Sequence, residues 1–214
     1  FERVFQQAKA AGLLTVAHAG EEGPAQNISD AIEMLEVSRV DHGVRCVEDN
    51  TLVASLIDSK MPLTVCPLSN IKLCVFDDMK QHNVVDLLRQ GVAVTINSDD
   101  PAYFGGYMTD NFLAVSQAHP MSHEEIAQFT LNAIEASFID DEMKANYENG
   151  GYGYGHAKQA LFELIVETFA KPRERYNYYM NNLSEIDKAL SVGAEKAKLV
   201  ADDVLKRVRQ KVGY

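Results

Sequence analysis

Val16-Ala17-His18-Ala19-Gly20-Glu21-Glu22-Gly23-Pro24 decides how the chain is read. Just before it, Leu13-Leu14-Thr15-Val16-Ala17 is nearly continuously apolar, the signature of a short strand buried on both faces. The run then breaks into a histidine, small residues and two acids, so polar groups stand at the carboxyl end of a buried strand.

The same unit recurs along the chain. Phe1 to Ala11 has Val4, Phe5 and Ala8 on one helical face and stops at Gly12. After the opening motif, Asn27 or Ser29 can cap a helix to Glu36 with Ile28, Ile32 and Leu35 at helical spacing. Val40-Asp41-His42-Gly43-Val44 is a second strand, followed by a helix from about Asn50 to Ser59. Leu63 to Pro67 is a third, leading into Leu68-Ser69-Asn70. Val84 to Arg89 is helical and ends at Gly91, and Val92 to Ile96 is a fourth strand running into Asn97-Ser98-Asp99-Asp100-Pro101. Strands alternating with helices in this way imply right-handed crossovers and a parallel sheet with its functional groups at the carboxyl edge.

Beyond the fourth strand the pattern changes. Ser122 and Glu125 form a capping box opening a helix to about Phe138, and a short helix follows from Asp140. Glu148 to Gly155 is glycine-rich, a linker or turn composition. His156 to Ala170 is then a strong amphipathic helix with Ala160, Leu161, Leu164, Ile165 and Phe169 inside. Arg173 to Met180, Glu185 to Leu190 and Gly193 to Val212 continue as helices, so the last segment reads as a small all-helical bundle.

Charge divides the chain at the same place. Of the net −11, residues 1–149 carry 9 Lys and Arg against 23 Asp and Glu, whereas the remainder carries 11 against 8. The acidic part is a poor candidate for binding nucleic acid, because it would repel the phosphate backbone. No apolar run approaches the about 18 residues needed to span a bilayer, and no signal peptide opens the chain, so a cytoplasmic protein without membrane contact is expected. Cys46, Cys66 and Cys74 form no C-x-x-C pair and read as small buried apolar residues, not as a disulfide framework or a zinc site.

Three strand ends could carry chemistry. His18 offers an imidazole, a good zinc ligand, and Glu21 offers a carboxyl group that can carry a proton close to a metal; the alternative is a solvated surface turn. His42 precedes a glycine that lets backbone pass close to a ligand; its alternative is a hydrogen-bonded histidine in the sheet mouth. Asp99 and Asp100 leave their strand to opposite sides, so one can face a metal and the other a substrate. Convergence of all three on one sheet edge favours chemistry over coincidence.

His18-Ala19-Gly20-Glu21, Asp41-His42-Gly43-Val44, Cys66-Pro67-Leu68-Ser69-Asn70 and Ser98-Asp99-Asp100-Pro101 resemble, in order and spacing, the later strands of the zinc-dependent adenosine and adenine deaminase family. Ser69 to Leu73 and Pro101 to Tyr107 look more like its adenine branch. The resemblance covers about residues 1–147 and implies an α/β fold, half of an eight-stranded (β/α) TIM-type barrel built from four parallel β/α units. It implies zinc held by His18 and Asp99, Glu21 as proton donor to the purine ring nitrogen, His42 orienting and helping to deprotonate the attacking water, and Asp100 binding the purine base. Hydrolytic deamination of adenine to hypoxanthine and ammonia would follow. Family members take two further zinc ligands from a His-x-His pair, and the sequence has none; His119 and His123 are four apart. A half barrel also leaves two sheet edges that a second copy would cover, so a homo-oligomer is expected.

A second resemblance begins at the glycine-rich junction. Gly153 to Leu164, Arg173-Glu174-Arg175-Tyr176 and Gly193 to Ala197 look like the carboxyl-terminal helical region of bacterial tryptophanyl-tRNA synthetases, over about residues 151–214. The ATP-binding signatures of that class are absent, and the small positive charge favours packing over tRNA contact. The expected organisation is therefore a deaminase-like partial barrel at 1–147, a junction at 148–155 and a helical bundle tail at 156–214. The alternative function is a non-catalytic chimeric or fragment protein.

Overall fold

The computed structural model describes residues 1–213; Tyr214, the last residue of the expected tail, lies outside them. The chain divides into two units, one from Phe1 to Gly151 and one from Tyr152 onward.

In the first unit, β1 (Val16–Ala19), β2 (Arg39–His42), β3 (Leu63–Val65) and β4 (Val94–Ile96) form one parallel sheet in the order β1-β2-β3-β4. Helices α1 (Glu2–Ala10), α2 (Gln26–Glu33), α3 (Asn50–Ser59), α4 (Pro67–Lys72) and α5 (Val84–Gln90) precede, separate or follow the strands. After β4 come α6 (Pro101–Phe104), α7 (Met108–Ala118), α8 (His123–Ala136) and α9 (Asp141–Glu148). The parallel sheet that the alternating pattern implies is present, as the four β/α units of the half barrel that the family resemblance implies.

Register sorts the side chains into two faces. Ala17, Val40, Leu63 and Val94 pair across the four strands, and the last three are completely buried. They pack with Ile28 and Ala31 of α2, Leu52, Val53 and Leu56 of α3, Val84, Val85 and Leu87 of α5, Val115 of α7 and Phe129 of α8. One residue further on, His18, Asp41, Thr64 and Thr95 pair in a polar row. Because strand side chains alternate, that row occupies the opposite face, away from the helices.

Local chemistry sets the helix ends. Asp49 caps α3 by accepting from the Thr51 and Leu52 amides, and Gly91 ends α5 in the left-handed region. The Ser122–Glu125 capping box opens α8, which stops at Ala136. Neither Asn27 nor Ser29 caps α2; both lie inside it, with Ala25 at the cap position.

The first strand sits later than its apolar run suggests. Pairing starts at Val16 opposite Arg39, and Leu13 and Leu14 remain 60% exposed. Both leucines precede β1, which is an edge of the sheet among the described residues. Cys46 and Cys66 are buried as expected, but Cys74 is exposed in the turn after α4.

The second unit contains α10 (Tyr154–Thr168), α11 (Ala170–Asn181) and α12 (Leu183–Val212). It is all-helical. Where the sequence reading gives two helices separated near Gly193, one helix of 30 residues runs through. An interior glycine costs roughly 1 kcal/mol relative to alanine, too little to break a helix of that length. Among the described residues of this unit none is buried. Among the described residues no helix is long and apolar enough to cross a membrane.

Candidate active site

Each strand delivers its group to the same edge by a different device. His18 lies within β1 on the polar face, its side chain largely exposed, with Nδ1 3.4 Å from Asp41 Oδ2. Asp41 is held in turn by Thr64, whose hydroxyl donates to Oδ1 at 2.6 Å. Gly20, in the left-handed region, turns the chain so that Glu21 comes back over the sheet edge. A side chain at Gly20 would strike Ile28 Cδ1 at 2.3 Å, so the turn depends on its absence.

His42 should follow Val40 to the helix side by simple alternation. Instead its φ is +67, an uncommon left-handed conformation for a non-glycine residue, and its ring lies 4.9 Å from that of His18. It is 1% exposed, and its Nδ1 sits 3.1 Å from Glu21 Oε1. Asp99 has the same kind of conformation, with φ +59, and its Oδ2 accepts a 2.7 Å hydrogen bond from Ser69 Oγ. Two non-glycine residues in left-handed backbone at one strand edge are the local strain that functional sites tend to carry.

His18, Asp41, His42, Thr64, Cys66 and Asp99 line a cleft of about 260 Å³. A larger neighbouring cleft, about 500 Å³, includes Glu21 but none of His18, His42 or Asp99, so the donors converge on the smaller one. Ligand atoms of His42, Cys66 and Asp99 all lie within 4.8 Å of one another. An imidazole, a carboxylate and a thiol are a donor set suited to zinc, and they fit one side of a metal.

Burial shapes the acid–base properties. Desolvation holds the Glu21 carboxyl above the usual carboxylate range, opposed by the Asn70 hydrogen bond that pulls it down. Desolvation and then the neighbouring His18 ring hold His42 below its ordinary value, so it is neutral near pH 7. Burial, reinforced by the Asp99 carboxylate, pushes the Cys66 thiol up to about 12.

His18, Glu21, His42 and Asp99 are thus brought together. Asp100 is not among the residues lining the cleft; its Oδ1 caps α6 by accepting from the Ala102 and Tyr103 amides at 3.1 and 3.3 Å. Three residues join the site that sequence reasoning had given no role. Cys66 stands among the donors, Ser69 orients Asp99, and Asn70 Nδ2 donates to Glu21 Oε1 at 2.6 Å. The strand-end motif Cys66-Pro67-Leu68-Ser69-Asn70 was the signal that could have found them.

The model of the adenosine deaminase family matches residues 1–149. The chain belongs to the adenosine deaminase family. Within that family it is similar to the adenine deaminase of Vibrio parahaemolyticus, 83% identical over 149 residues that make up 70% of this chain and 44% of that protein. The adenine deaminase of Hahella chejuensis is 63% identical over 145 residues, 68% of this chain and 43% of its own length. Among solved structures, adenine deaminase from Arthrobacter aurescens superposes with a TM-score of 0.67 at 48% identity, covering 68% of this chain and 44% of that one. An amidohydrolase from Burkholderia ambifaria, crystallised with bound zinc, gives a TM-score of 0.63 at 27% identity over 80% of this chain and 46% of its own. This adenosine deaminase family chain therefore spans less than half the length of the curated relatives it matches.

Proposed function

We propose that residues 1–149 carry the carboxyl-terminal half of an adenine deaminase active site, the half that handles protons. The observation that carries this reading is the meeting of Glu21 and His42 at 3.1 Å beside Asp99, at the carboxyl edge of the sheet. The names of the Vibrio and Arthrobacter relatives support adenine as the substrate.

His18 and Asp99 would hold zinc; the donors within 4.8 Å of one another are those of Asp99, His42 and Cys66, and the His18 ring lies 4.9 Å from that of His42. Zinc, when bound, supplies Lewis acidity that brings the pKa of water towards neutrality. Glu21, its carboxyl held above the usual carboxylate range by burial, would deliver a proton to the purine ring nitrogen as the amino-bearing carbon is attacked. Neutral His42 accepts the proton given up by the attacking water. Asp100 uses Oδ1 for its helix cap, which leaves Oδ2 to receive an N–H of the base. One water and one adenine then give hypoxanthine and ammonia.

The test is to incubate the purified chain with adenine and zinc, alone and together with the part of the Vibrio relative that it does not match, and to follow loss of aminopurine absorbance. Conversion that disappears in Glu21→Gln is the expected result. Conversion in neither arm, or conversion indifferent to Glu21, overturns the reading.

A second reading is a non-catalytic chimeric protein whose helical unit resembles a tryptophanyl-tRNA synthetase carboxyl-terminal region. The sequence favours it in one respect: none of its six histidines forms a His-x-His pair. About one zinc per chain retained through dialysis would count against it.

A further inference from the structure

His42, Cys66 and Asp99 stand at the ends of three consecutive strands. His42 closes β2, Cys66 follows β3 at the cap position of α4, and Asp99 lies three residues beyond β4. Neighbouring strands run about 4.8 Å apart. The Asn97 amide, donating to the Val65 carbonyl at 2.8 Å, holds the ends of β3 and β4 together. The sheet itself therefore sets the spacing of a ring nitrogen, a thiol sulfur and a carboxylate oxygen, all within 4.8 Å of one another.

Each residue has a ligand atom left over. His42 Nδ1 is engaged by Glu21 Oε1 at 3.1 Å and Asn70 Nδ2 at 3.2 Å, whereas among the described residues Nε2 has no hydrogen-bond partner. Cys66 donates only to the Thr64 carbonyl, across a long 3.8 Å. Asp99 uses Oδ2 for Ser69, which leaves Oδ1. His42 and Cys66 are both buried, so water competes weakly for them. The surrounding field favours a cation, because the carboxylates of Asp99, Glu21 and Asp41 all act on the Cys66 thiol. Arg39 lines the same cleft, but its guanidinium donates to the Ala136 carbonyl at 3.2 Å and lies 4.7 Å from the centroid of the Phe138 ring.

The geometry points to a cation site made by His42, Cys66 and Asp99, for a borderline-soft divalent ion such as zinc or cadmium. Around one tetrahedral ion such donors are about 3.3 to 3.8 Å apart, so side-chain movements of roughly 1 Å close the set. The thiol binds as thiolate, its proton passing to water. A sulfur donor sets the class of ion, since magnesium and calcium prefer oxygen. The site shares Asp99 with the zinc position proposed above but uses His42 and Cys66 in place of His18. The two positions cannot be filled together, and an ion on His42 excludes its service as a proton acceptor.

Titrating the full chain, freed of metal by dialysis against a chelator under reducing conditions, with cobalt(II) alone tests the site without turnover. A thiolate-to-cobalt charge-transfer band should appear and saturate at about one ion per chain. Absence of the band in the unaltered chain, or its loss to excess magnesium, overturns the proposal. Cys66→Ser should abolish the band, whereas Cys74→Ser and His18→Ala, both at exposed side chains, should keep it. A band that survives Cys66→Ser, or that vanishes in a folded His18→Ala chain, overturns the proposal. Should Cys66→Ser fail to fold, X-ray absorption of the zinc-loaded Cys74→Ser chain decides, since Cys46 is completely buried in the core. One sulfur at about 2.3 Å beside nitrogen and oxygen supports the site, and nitrogen and oxygen alone overturn it. Each result is read independently of whether adenine is deaminated.

Discussion

The Ser69 hydroxyl donates to the Asp99 carboxylate across 2.7 Å, tying the short helix after β3 to the turn after β4. Ser69 is completely buried, and α4 is itself anchored by Asn111, whose side-chain oxygen accepts from the Leu68 amide at 3.0 Å. Asp99 therefore presents its carboxylate in a fixed direction. Ser69→Ala should weaken zinc binding roughly 10- to 100-fold, the usual cost of losing such an outer partner. Competition against a chromophoric chelator measures it; an unchanged affinity would mean that Asp99 is oriented by something else.

Acid should destabilise the fold through His82. Its value in the folded state is about 3 against 6.5 for the free side chain, so below pH 6.5 the unfolded chain takes up a proton that the folded chain refuses. The contribution is complete above pH 6.5 and is lost progressively as pH falls from there towards 3, at about 1.4 kcal/mol per pH unit. Glu21 works in the opposite direction, because a carboxyl held high stabilises the fold at low pH and loses that contribution as pH rises. Comparing urea midpoints at pH 7 and pH 5 for the unaltered chain and for His82→Gln isolates the histidine. The variant should show the flatter dependence, and equal slopes would contradict the assignment.

Three glycines separate the cost of backbone conformation from the cost of space. Gly12, Gly20 and Gly43 all have positive φ, yet an added Cβ meets nothing within 4 Å at Gly12, Ile28 Cδ1 at 2.3 Å at Gly20 and Leu63 Cδ2 at 2.8 Å at Gly43. Gly12→Ala should lose about 1 to 2 kcal/mol from conformation alone. Gly20→Ala and Gly43→Ala should lose a further 1 to 3 kcal/mol, roughly, from overpacking. Chemical denaturation ranks them, and equal losses at all three positions would argue against the close packing under β1 and β2.

Self-association is expected from the sheet edges. Among the described residues β1 and β4 each pair on one side only, and Leu13 and Leu14 stand exposed beside β1. Sedimentation velocity should find a dimer or larger species at micromolar concentration; a monomer throughout would contradict it.

Much of the barrel half is legible in the sequence because each strand is a short apolar run closed by polar residues. Val40, Leu63 and Val94 announce a face buried by helices, and a parallel sheet in chain order follows from the helices between them. The edge strand was displaced because Leu13 and Leu14 are as apolar as any buried pair; only the missing neighbour reveals that they are exposed. His18, Glu21, His42 and Asp99 were legible as strand-end polar groups, and their convergence follows from the topology. His82 was not, since nothing in Lys80-Gln81-His82-Asn83 distinguishes a surface ring from the buried one that the fold sets 4.4 Å from the Phe76 ring. Nor was the capping role of Asp100, which depends on Pro101 starting a helix at once. The single helix through Gly193 was missed because local propensity counts the glycine and not the length on either side.

The sequential strand order has a consequence for synthesis. Because neighbours in the sheet are also neighbours in the chain, the donors reach the rim in the order His18, His42, Cys66, Asp99 as the polypeptide leaves the ribosome. Asp99 follows β4, the last strand of the sheet in chain order, so the cluster of His42, Cys66 and Asp99 needs the chain through that strand to be complete. Loss of β4 would therefore dismantle this cluster together with one edge of the sheet.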